Sequence, residues 1–189
     1  MLKSRYFVLL LVVFLVYVVF ESIYKEINKK TLSAKAQRIE CQNRTTTFEK
    51  VYLKNDIVEL QELLYSGHYS LKSWVKKAKY SKTRLFEFVN LKDIDIVTKN
   101  IIKSYAKKQN NSEKKLKIEY YIYENDVDDP GKKTERSKLY AGYIVFRFLN
   151  DKNLLAYQVQ IDFMDREGKD IPNSLKCAFD SFLTIDQSE

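Results

Sequence analysis

Residues 154–164 read LLAYQVQIDFM. Leu155, Tyr157, Val159, Ile161 and Phe163 alternate with Gln158, Gln160 and Asp162. A period of two sends successive side chains to opposite faces of a pleated strand. The stretch therefore predicts a strand with one apolar face, which needs neighbouring strands and an apolar layer to lie on.

Neighbours precede it in the chain. Asn150-Asp151-Lys152-Asn153 makes a hairpin turn, and Leu139–Leu149 before it is apolar on both faces, as a central strand is. Further upstream, Lys115–Glu124 places Leu116, Ile118, Tyr120 and Ile122 on one side. The polar stretch Asn125 to Ser137 joins these two strands and carries the turn signal Asp129-Pro130-Gly131. After the quoted strand the spacing turns helical. Leu175, Ala178, Phe179, Phe182 and Leu183 share a face, and Asn173 or Ser174 stands where a cap belongs.

The first half reads as helices. Asp56 and Glu59 form a capping box ahead of Ile57, Leu60 and Leu64, and Gly67 sits at the C-terminal cap. A second helix is predicted over Leu71–Lys79, capped by Ser70 and burying Trp74, Val75 and Ala78. Residues 84–91 fit strand or helix. A third helix runs from Asp93 to Lys108 on a stripe of Ile94, Val97, Ile101 and Tyr105. Residues 41–54 read as irregular.

Far upstream, Tyr6–Phe20 is fifteen residues without a charge or a glycine. A soluble helix shows a polar stripe, and this run is apolar all round. Small residues for signal cleavage are missing just after it, so the expectation is an uncleaved membrane anchor over residues 1–24. Residues 6–24 then contact lipid. Lys3, Arg5 and Lys25 flank the span, and their snorkelling lengthens a run that is short for a bilayer. The full expectation is α+β: an N-terminal transmembrane helix, then helices packed on a three-stranded antiparallel β-meander with a C-terminal helix. Residues 25–47 form a juxtamembrane stalk and 48–189 a soluble α+β domain.

Orientation rests on two opposed signals. A strict Lys/Arg count puts the C-terminal domain in the cytoplasm. The short basic tail running straight into the apolar run is the arrangement of an export signal. The expectation is a single-pass bacterial inner-membrane protein with its domain outside the cytoplasm, in the periplasm or beyond the cell. Two cysteines, Cys41 and Cys177, then fit a disulfide closing the ends of the domain.

The net charge of +8 divides evenly. Residues 1–40 hold seven basic and three acidic groups, against 26 and 22 in the rest. Half of the excess thus belongs to the anchor and its flanks, and the remainder is mixed in sign. A nucleic-acid surface concentrates arginine among aromatics, so no nucleic-acid partner is expected.

Chemistry-bearing motifs are absent from the sequence. His68 is the only histidine and sits in a turn, so zinc sites and His-dependent nucleophiles lack their residues. The acidic run Asp126–Asp129 opens like a calcium loop, but it has Pro130 at the fifth position and Ser137 at the twelfth. It reads as a solvated hairpin loop. Four glycines form no phosphate-binding loop. No catalytic residue, metal or cofactor is expected.

A basic tail, one span and a helices-then-meander domain together resemble, in layout, the bitopic subunits of bacterial secretion and conjugation machines. The functional expectation is a non-enzymatic interaction or scaffold subunit of such an envelope assembly, with other envelope proteins as partners and a homo-oligomer left open. Two alternatives stay open: a small-ligand-binding or enzymatic cone-shaped α+β domain, and a membrane-tethered inhibitor or immunity-type protein.

Overall fold

A computed structural model describes residues 38–107, 112–132 and 134–185. Five strands form one sheet: β1 (Thr47–Val51), β2 (Tyr69–Lys76), β3 (Leu116–Glu124), β4 (Gly142–Leu149) and β5 (Leu155–Phe163). Four α-helices accompany them: α1 (Ile57–Tyr65), α2 (Leu85–Phe88), α3 (Leu91–Tyr105) and α4 (Ile171–Leu183). The sheet order is β1-β5-β4-β3-β2. β3, β4 and β5 pair antiparallel as a meander, β1 adds antiparallel to β5, and β2 adds parallel to β3.

The α+β class holds, and the three-stranded antiparallel sheet is corrected to a mixed five-stranded one. The largest change is at residues 69–76, where a helix was expected. Leu71, Trp74, Val75 and Ala78 have helical spacing, yet Tyr69, Leu71, Ser73 and Val75 also alternate. Pairing with β3 puts those four in line with the core row Leu116, Ile118, Tyr120 and Ile122. Trp74 then lies beside Tyr121 on the opposite face. A strand at a sheet edge gains backbone hydrogen bonds that an isolated helix of this length cannot match.

The core lies on one side of the sheet. Leu116, Ile118, Tyr120 and Ile122 of β3 meet Ile144, Phe146 and Phe148 of β4, then Tyr157, Val159, Ile161 and Phe163 of β5. All are at most 1% exposed. α4 lays Phe179 and Phe182 on this face. Phe182 stacks on Phe148 at 4.1 Å, and Phe179 meets Phe146 edge-on at 5.1 Å. Ring pairs of this kind add about 0.5–1.5 kcal/mol each beyond area burial. α3 buries Ile94, Thr98 and Ile102, a face rotated slightly from the expected stripe. The Thr98 hydroxyl donates back to the Ile94 carbonyl at 2.8 Å, which lets a polar residue lie in that face.

Local signals were partly realised. Gly67, at φ 74°, closes α1 as a Schellman turn: His68 N–H donates to Leu63 O and Gly67 N–H to Leu64 O. The capping box at its other end does not form. The Asp56 carboxylate instead accepts from Asn150 Nδ2 at 2.7 Å, tying α1 to the β4–β5 hairpin. Asn90 caps α3 by accepting from Lys92 N–H. α4 begins at Ile171 behind Asp170, ahead of the expected caps, because Pro172 suits the first turn.

Among the described residues no helix is long and apolar enough to cross a membrane. The run Tyr6–Phe20, its flanks Lys3, Arg5 and Lys25, and stalk residues 25–37 lie outside the described residues.

Candidate functional site

The helices cover one face of the sheet, and the other face is the candidate site. Alternation sends Lys72, Trp74 and Lys76 of β2 to it, then Glu119, Tyr121 and Tyr123 of β3 and Tyr143, Val145 and Arg147 of β4. Gln158, Gln160 and Asp162 of β5 and Phe48 and Lys50 of β1 lie on the same face. Its aromatic residues on β2, β3 and β4 form one continuous group. Trp74 stacks on Tyr121 at 5.3 Å and 27°, Tyr121 meets Tyr143 edge-on at 6.4 Å, and Tyr143 stacks on Tyr123 at 4.6 Å and 19°. Val145 lies among them and is only 3% exposed.

The rings stand on the sheet with faces turned to one another. Lys76 Nζ covers the Tyr121 ring at 4.1 Å, a cation–π contact. What the surface offers solvent is ring edges, hydroxyls and ammonium groups. Burial pushes the Tyr143 phenol up to about 12, so it remains a protonated donor at physiological pH. Arg147 and Glu119, cross-strand neighbours, pair at 2.9 Å and neutralise each other.

The acidic run also departs from expectation. Asp126 is 2% exposed rather than solvated. Its carboxylate accepts from the amides of Lys79, Tyr80 and Ser81 and from the Ser81 hydroxyl, at 2.6–2.8 Å. Burial alone raises such a carboxyl, but these four donors outweigh it and hold Asp126 at about 2. Glu124 beside it accepts from Ala78, Arg84 and Leu85 N–H, the last two at the start of α2. These acids fix the chain leaving β2. The Asp129-Pro130-Gly131 turn forms as read, with Gly131 N–H donating to Asp129 Oδ1. Among the described residues no group of three His, Cys, Asp or Glu side chains is arranged to hold a metal ion. His68 is half-buried, and its Nδ1 has no hydrogen-bond partner among the described residues.

The predicted disulfide is present. Cys41 and Cys177 are bonded, with Cα atoms 5.8 Å apart, joining the segment before β1 to α4. Arg38 reinforces the junction. It grips Glu49 of β1 through Nε and Nη2, at 3.1 and 3.0 Å, and donates to Ser181 O and Thr184 Oγ1 of α4. Gln42 bridges Glu49 and Ser181, and Tyr157 OH donates to Glu49. A groove of about 660 Å³ lies over the disulfide, lined by Ile39, Met164, Asn173 and Lys176 among others.

Only the disulfide pair among the named positions was legible beforehand. Trp74 and Tyr121 gave no signal, because their adjacency needs the parallel β2–β3 pairing. No protein-family model matches the chain, and no curated protein or solved structure matches it.

Proposed function

We propose that this chain is a membrane-anchored, non-enzymatic interaction subunit of a bacterial envelope assembly, its domain outside the cytoplasm and its open sheet face turned to protein partners. The carrying observation is that face: a contiguous Trp–Tyr surface on a rigid five-stranded sheet. Tyrosine and tryptophan give large contact area for little side-chain entropy, and they dominate protein interfaces. Strand backbone holds them in place before any partner arrives, which lowers the ordering cost of binding. The Cys41–Cys177 bond supports an oxidising compartment. The apolar run over residues 6–20 supports tethering to lipid, which confines the face to two dimensions and raises its effective concentration.

Blue-native electrophoresis of the membrane-extracted protein tests this reading. The native chain is expected to migrate in a complex larger than a monomer, and Trp74→Ala is expected to release it. Monomeric migration of the native chain, or a complex indifferent to Trp74→Ala, would remove the proposal.

A further inference from the structure

The chemistry of the open face says what kind of partner fits it. The β2–β3–β4 side carries five donors: Trp74 Nε1–H, the Lys72 and Lys76 ammonium groups, and the Tyr121 and Tyr143 hydroxyls. Within the described residues none has a hydrogen-bond acceptor, and none is sealed from water. The one carboxylate there, Glu119, is already paired with Arg147. The patch is therefore rich in donors and short of acceptors, with a positive edge along β2. Its complement is anionic and rich in acceptors.

Three occupants share part of that description, and two fit poorly. Single-stranded nucleic acid stacks its bases on open ring faces. Here Trp74 stacks on Tyr121, Tyr143 stacks on Tyr123 and Lys76 lies over Tyr121, so one face of each ring is already taken. A second copy of this chain would bring Lys72 and Lys76 to a surface whose acid is spent on Arg147, and Asp162, on the adjacent strand, is only 8% exposed. An acidic protein segment meets every feature: carboxylates for the lysines and hydroxyls, and an apolar side chain for the edges of Trp74 and Tyr121.

We propose that the β2–β3–β4 side of the open face docks an acidic, partly apolar protein segment, with carboxylates against Lys72 and Lys76 and an apolar side chain against Trp74. The proposal rests on the reading of this face as a docking surface and specifies the partner's chemistry.

Trp74 is the only tryptophan in the chain, so its emission reports on this patch alone. The test titrates the detergent-solubilised full chain with a synthetic peptide alternating Glu and Phe. A matching peptide with Lys for Glu, and oligo-deoxythymidine, serve as counter-probes. The Glu–Phe peptide is expected to shift Trp74 emission saturably and to weaken as salt rises. The double substitution Lys72→Gln, Lys76→Gln is expected to weaken it by about tenfold, the loss of two exposed charge contacts. Circular dichroism checks that the sheet is intact, and Lys76→Gln alone carries the test if the double variant loses it.

The proposal is overturned by any of four results. These are no shift with the Glu–Phe peptide, equal affinity for either counter-probe, unchanged affinity in the Gln variants, or an emission change on concentrating the chain alone. A complex released by Trp74→Ala while the Glu–Phe peptide stays silent would leave the docking role standing and remove only the acidic partner.

Discussion

Asp126 shows how one residue organises a region whose sequence looks merely hydrophilic. Four acids or amides crowd residues 124–128, and composition alone reads them as solvated. The structure spends Glu124 and Asp126 instead on backbone amides that no strand or helix satisfies, a duty buried polar groups must meet. Nothing in the local sequence names those amides, because they lie 39 to 47 residues away. The consequence for pH has a definite sign. The folded carboxyl sits at about 2, below an unfolded value near 3.9, so its stabilisation is complete above about pH 4. It is lost as pH falls toward 2. The urea midpoint is expected to drop across that window in the native chain and to be lower but flatter there in Asp126→Asn. Parallel profiles for the two proteins would show that other groups govern acid unfolding.

At the scale of elements, legibility followed the clarity of the period. β3, β5, α1, α3 and α4 were readable because apolar residues recur at two or 3.6 on one face, and β4 because it is a short run apolar on both faces. β1 was not. Its core-facing residues are Thr47, Glu49 and Val51, so a glutamate breaks the pattern midway. That glutamate is tolerated because Arg38, Gln42 and Tyr157 all donate to it. β2 failed for a different reason: its apolar residues satisfy both periods, and its parallel partner lies beyond α2 and α3. The open face was illegible with it. Glu49 thus holds a whole strand in place. Glu49→Ala is expected to cost about 2–3 kcal/mol, below the range for a fully buried pair because Arg38 keeps some contact with water. Hydrogen exchange is expected to quicken at β1 amides and stay slow in β3 and β4. Uniform quickening across the sheet would show that Glu49 supports the global fold rather than one edge.

For the whole molecule, the disulfide is the covalent long-range constraint. It links residues 136 apart in sequence, and the chain-entropy account assigns a loop of that size ~5 kcal/mol as an upper value. Reduction is expected to lower the unfolding free energy by about 3–5 kcal/mol, measured by urea titration with and without reductant. A loss under ~1 kcal/mol would mean that the Arg38 contacts hold the junction unaided. The cysteine pair was foreseeable from an even count together with the expectation of export. The junction they staple was not, since Arg38 reaches Ser181 and Thr184 only after the sheet has formed. That junction has a mechanical meaning. Tension arriving along the chain from before residue 38 would, without the bond, peel off β1, a five-residue strip at the sheet edge. With the bond, the pull passes from Cys41 into α4, whose phenylalanines are set in the core. The domain is then loaded as a block, bypassing this short edge strand, and a partner tugging on the open face would meet the resistance of the whole fold.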